Sequence, residues 1–133
     1  MKKVLLLSNC KEVFETTHKI AKERYELEWN TYDFFETNRG FVPNVVIMHF
    51  DNRMVRKGIF EFIIKIKGIL GNTIPILALI ENGTKQDIFS ILKAGAYDYL
   101  ENMENLQEYR KKIEEMLLWN WYLKKYRSKS CND

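Results

Sequence analysis

The sequence predicts an α/β fold: a parallel sheet of five strands with helices packed on both faces. Two observations carry this. Continuous apolar runs at Lys3–Leu7, Pro43–His49 and Ile74–Leu79 read as strands buried on both faces. Segments with apolar residues at helical spacing separate them, and an alternation of this kind builds right-handed crossovers around a parallel sheet. No linker, internal repeat or low-complexity segment interrupts the pattern across the 133 residues, so one domain is expected.

Each element has a local reason. Lys3–Leu7 is the first strand. Ser8 or Asn9 is placed to cap a helix from Lys11 to Glu23, whose Val13, Phe14, Thr17, Ile20 and Ala21 share a face. Tyr25–Trp29 alternates apolar residues with Glu26 and Glu28, the pattern of an edge strand. Tyr32–Thr37 reads as a short helix stopped around Gly40. The central strand ends on His49, one of two histidines, the other being His18 on the first helix. Val55–Leu70 reads as one helix, with Ile59, Phe62, Ile63, Ile66 and Leu70 inward and Gly71-Asn72 as its stop. Thr84 caps Lys85–Ala94, Gly95 ends it, and Tyr97–Leu100 is the last strand. Glu104–Tyr126 forms a long final helix, with Leu106, Tyr109, Ile113, Met116 and Leu117 as its inward stripe.

Composition narrows the function classes. Hydrophobic residues at 46% and charged residues at 29% are globular values. The net charge of +3 comes mostly from Lys124, Lys125, Arg127 and Lys129. Cys10 and Cys131 lie far apart with no Cys/His cluster, so neither a disulfide framework nor a metal centre is expected. The apolar run after Met1-Lys2-Lys3 is too short for a signal peptide, and no run approaches the ~20 residues of a membrane span. A cytoplasmic protein with no membrane role is expected. No paired carboxylates, nucleophile elbow or glycine-rich phosphate loop is present, which argues against an enzyme.

Four segments, in order, carry a resemblance. Ala94-Gly95-Ala96-Tyr97-Asp98-Tyr99-Leu100 resembles the Ala-Gly-Ala-x-x-Tyr-Leu segment of response-regulator receiver domains. Ile74-Pro75-Ile76-Leu77-Ala78-Leu79, Pro43-Asn44-Val45-Val46-Ile47-Met48 and Gly58-Ile59-Phe60-Glu61-Phe62 resemble the family's fourth strand, third strand and following helix. The resemblance spans about residues 2–120 and implies a flavodoxin-like (βα)5 three-layer sandwich with strand order 2-1-3-4-5. It also implies a receiver-like domain over residues 1–126, followed by a disordered tail over 127–133.

Receiver chemistry, as the resemblance implies it, needs an acceptor aspartate, two acids for Mg²⁺, a hydroxyl residue and a lysine. In this sequence the acceptor position is His49, the acid pair Ser8 and Asn9, the hydroxyl Ile80 and the lysine Asn102. None of these supplies the required group, and Mg²⁺ binds poorly without charged oxygen ligands. His49 is therefore expected to bond its neighbours rather than hold phosphate or metal, and no cofactor is expected. The switch aromatic, Tyr99, remains. The expected function is a phosphorylation-independent, two-component-type signalling module acting by protein contact. Its surface would run from Lys85 to Leu123 and include Tyr99, Tyr109, Trp119 and Trp121. Partners would be a histidine kinase, a regulatory or output domain, or a second copy joined through the final helix. Two alternatives stand beside this reading. Asp51 could serve as acceptor with Mg²⁺, or the basic aromatic tail could bind DNA, though its four cations match no recognised nucleic-acid motif.

Overall fold

The computed structural model describes residues 1–37 and 42–130. Along the chain lie β1 (Lys3–Leu7), α1 (Lys11–Ala21), β2 (Glu26–Asn30), α2 (Tyr32–Thr37), β3 (Val45–Phe50) and α3 (Asn52–Lys57). They are followed by α4 (Phe60–Leu70), β4 (Ile76–Ile80), α5 (Lys85–Ala94), β5 (Asp98–Leu100) and α6 (Leu106–Ser130). All strand pairs are parallel, and the sheet order is β2-β1-β3-β4-β5, as expected.

The period of two along each strand sorts the core into two layers. Val4, Leu6, Val45, Ile47, Leu77 and Leu79 meet Val13 and Ile20 of α1 and Tyr109, Ile113 and Met116 of α6. The alternate residues Leu5, Leu7, Val46, Met48, Phe50, Ile76, Ala78 and Ile80 meet Phe35 of α2, Ile63 and Ile66 of α4, and Ile91 of α5. β1, β3 and β4 are therefore buried on both faces, which is why they read as unbroken apolar runs. Each buried Val, Leu, Ile, Met or Phe among them contributes about 1.5–3 kcal/mol on leaving water.

Thr84 caps α5 as expected: its hydroxyl accepts from Asp87 N–H while the Asp87 carboxylate accepts from Thr84 N–H, a closed capping box. Gly71 and Gly95 end α4 and α5 with φ of 88° and 120°. Three local expectations are corrected. The helix expected over Val55–Leu70 is two helices, α3 and α4, broken at Gly58, whose φ of 98° suits glycine. Neither Ser8 nor Asn9 caps α1; its N-cap is Cys10, with no side-chain bond, because both neighbouring side chains serve other partners. Leu106, expected inward on the last helix, is 39% exposed. The stop expected near Gly40 lies outside the described residues.

α6 has 25 residues and spans about 37 Å at 1.5 Å per residue. Buried Asn120 anchors it by donating to Thr73 C=O at 2.7 Å and accepting from Asn44 Nδ2 at 3.1 Å. The helix continues past the expected boundary at Tyr126, while residues 131–133 of the expected tail lie outside the described residues.

Candidate functional site

Strand parity builds the site. Leu6, Ile47 and Leu77 are register partners across β1, β3 and β4, and all face α1 and α6. Two residues on from Leu6 and Ile47 stand Ser8 and His49; two on from Leu79, the register partner of His49, stands Glu81. At the carboxyl end of the sheet, this row of same-facing positions changes from apolar to polar.

The three side chains are joined. Ser8 Oγ lies 2.9 Å from His49 Nδ1, and His49 Nε2 lies 2.5 Å from Glu81 Oε2. Ser8 is fully buried and His49 is 2% exposed, whereas the Glu81 side chain is 48% exposed. The relay thus runs from solvent to the interior. An ionised carboxylate only accepts, so His49 Nε2 carries a proton toward Glu81. In the neutral ring, Nδ1 then accepts from the Ser8 hydroxyl. Ser8 Oγ itself accepts from Cys10 N–H at 3.0 Å, and Cys10 C=O lies 3.4 Å away as a second acceptor for its proton.

Further bonds hold the relay's backbone. Trp29 Nε1 donates to Ser8 C=O at 2.8 Å, Ser8 N–H donates to Asn30 C=O at 3.1 Å, and Glu81 N–H donates to Phe50 C=O at 3.1 Å. The Tyr32 hydroxyl donates to His49 C=O at 2.8 Å. Burial pushes the Tyr32 hydroxyl well above its ordinary range, and the nearby Asp51 charge adds to the shift. Among the described residues, no buried side-chain nitrogen or oxygen lacks a partner. The trio has the members of a serine hydrolase relay, but Ser8 offers no exposed oxygen to a substrate.

The other expected site residues lie apart from this row. Asn9 Oδ1 faces Tyr32 N–H at 3.5 Å. Ile80 belongs to the opposite core layer, and its Cδ1 lies 2.6 Å from where a Cβ on Gly83 would stand. Asn102 is exposed and accepts from Glu104 N–H at 3.0 Å. Asp51 caps α3, its Oδ1 accepting from Met54 N–H at 2.9 Å. Among the described residues, no group of three or more His, Cys, Asp or Glu could hold a metal ion. A cavity of about 300 Å³ beside β5 is lined in part by Asp98, Asn102, Glu108 and Lys112, but by none of the relay residues. Lys112 donates to Asp98 there at 2.6 Å.

The expected interaction residues divide. Tyr99 is half-buried against the layer that contains Ile80. Trp119 and Trp121 are 43% and 45% exposed, and Trp119 lies 6.0 Å from the Tyr97 ring. Tyr109 is a correction. It is fully buried, with its hydroxyl 2.7 Å from Thr17 Oγ1, so it belongs to the core and cannot meet a partner. Glu81 was absent from the expected residues; its signal was a lone acid following the apolar run next to the His49 strand.

No family model and no curated protein matches the sequence. Solved structures do match. NtrX from Brucella abortus, in a complex with ADP, matches with a TM-score of 0.79 and 16% identity over 96% of this chain, which spans only 29% of that one. A response regulator receiver domain protein from Clostridium thermocellum matches with a TM-score of 0.74 and 18% identity, covering 92% of this chain and 99% of that one. The adenylate cyclase structure from Rhodopirellula baltica matches with a TM-score of 0.78 and 14% identity, covering 99% and 98%. The chain has the receiver fold. Likeness at these identities extends to the fold and leaves function to the site.

Proposed function

We propose that this chain is a receiver-like signalling module of two-component type that acts through protein contact without being phosphorylated. The carrying observation is the buried His49, held between Ser8 and Glu81 where the receiver pattern calls for the acceptor carboxylate. An imidazole forms no acyl phosphate. Glu81, the charge in contact with His49, would repel a phosphoryl group rather than bind it. The neutral oxygens of Ser8 and Asn9 are engaged and offset no Mg²⁺ charge. Asp51, the alternative acceptor, spends an oxygen on the α3 cap. The module has no catalytic role of its own, and its partners are a histidine kinase, a regulatory or output domain, or another copy. Incubation with acetyl phosphate and Mg²⁺ followed by intact-mass measurement tests this. Unchanged mass is expected; a Mg²⁺-dependent gain of one phosphoryl group, lost in Asp51→Asn, would overturn it.

A further inference from the structure

The protein-contact reading leaves the partner open, and α6 carries a pattern that specifies one. Lys111, Glu115, Leu118, Tyr122 and Lys125 follow at alternating spacings of four and three, which places them in one stripe along the helix. All five are exposed, Leu118 at 57% and Tyr122 at 38%. The stripe lies between two committed faces of the helix. On one side Glu114 engages Tyr25 and Arg24; on the other Lys112 bonds Asp98 and Trp119 meets Tyr97. The inward face is held by Ile113, Met116, Leu117 and Asn120. The outward stripe is thus a fourth side, with Leu118 and Tyr122 as an apolar centre flanked by Glu115 before them and Lys125 after.

We infer that α6 pairs antiparallel with α6 of a second copy of this chain, about a two-fold axis level with Asn120. That axis sets Leu118 against Tyr122 of the other copy twice, and Glu115 against Lys125 twice. Antiparallel helices at this spacing interleave in such layers, and the two-fold makes every favourable pair occur in duplicate. A parallel pairing would instead set Glu115 against Glu115 and Lys125 against Lys125, so the charges select the orientation. Lys125 already lies 4.8 Å over the Trp121 ring, which places the ammonium at the edge of the stripe. The interface is short, so the association is weak, concentration-dependent and salt-sensitive.

This inference rests on the protein-contact reading and can fail without it, because the phosphorylation test involves none of these residues. Sedimentation equilibrium of the full chain at low salt should show monomer–dimer exchange, weakened by Glu115→Lys or Lys125→Glu alone and restored in the double charge reversal. Leu118→Asp should abolish it with the circular dichroism unchanged. A protein monomeric up to its solubility limit would overturn the inference. So would single reversals without effect, or a double reversal that fails to restore association. Monomers that bind anionic vesicles or duplex DNA through the basic end of α6 would overturn it too and would identify a different occupant.

Discussion

Replacing Ser8 by alanine removes one oxygen on which two groups depend. His49 Nδ1 loses its partner at 2.9 Å in a site 2% exposed, and Cys10 N–H loses its acceptor at 3.0 Å. A buried polar group left unpaired costs about 1–3 kcal/mol, and the Cys10 amide is only partly buried, so a loss of about 2–4 kcal/mol is expected. That is a large share of the 5–15 kcal/mol typical of a whole domain. The cost should depend on His49. In a His49→Leu background no imidazole remains to be orphaned, and Ser8→Ala should cost about 1 kcal/mol, for the amide alone. The coupling in this double-mutant cycle is then about 1–3 kcal/mol. Urea denaturation at constant slope measures all four proteins. Ser8→Ala costing under about 0.5 kcal/mol, or costs that simply add, would refute the relay, because contacting residues in one network do not act independently.

Other consequences follow from the same bonds. Tyr109→Phe removes the bond to Thr17, which keeps Val13 C=O as a partner, and should lower stability by about 1 kcal/mol in the same assay. Asp51→Ala deletes the α3 cap and should cost about 0.5–2 kcal/mol while leaving the acetyl phosphate result unchanged. Stability should fall on the alkaline side. Burial, helped by the charge and hydrogen bond of Glu114, pushes Tyr25 up to about 12 from 10.0, and burial raises Tyr32 and Tyr109. For Lys112, burial pulls downward but the Asp98 bond and the charges of Asp98, Glu108 and Glu115 outweigh it, so its net shift is upward. Groups whose folded values are raised contribute fully below their unfolded values, and that contribution fades as pH climbs through the folded ones. Thermal unfolding from pH 8 to pH 12 should therefore show a decline beginning near 10; a flat profile would contradict these environments.

The sheet was legible because its central strands are buried on both faces, and continuous apolar runs such as Ile76–Leu79 have few other uses. Boundaries were less so. The split at Gly58 escaped notice because Val55, Ile59 and Phe62 keep helical spacing across it. Only the backbone's positive φ marks the break. Tyr109 illustrates a different limit: its spacing put it on the inward stripe while the resemblance put it on the contact surface, and its burial beside Thr17 decides for the core. The site was half visible. His49 was recognisable as a polar residue ending a buried strand, and it does bond its neighbours. Its acid partner was missed because Glu81 is remote in sequence, and only strand adjacency, register and parity together bring it alongside. Those three were available once the strand order was assigned, so the Ser8–His49–Glu81 row could have been read from the alternation of Leu6, Ile47 and Leu79.

In the proposed reading, a histidine fixed between Ser8 and Glu81 fills the place of the acceptor carboxylate from within. Long-range proton–nitrogen NMR of the His49 ring reads whether it is fixed there. The relay predicts a slowly exchanging proton on Nε2, shifted by Glu81→Gln, and an Nδ1 resonance that moves in Ser8→Ala. A ring whose protons exchange freely with water, and whose two nitrogens respond to neither substitution, would contradict it.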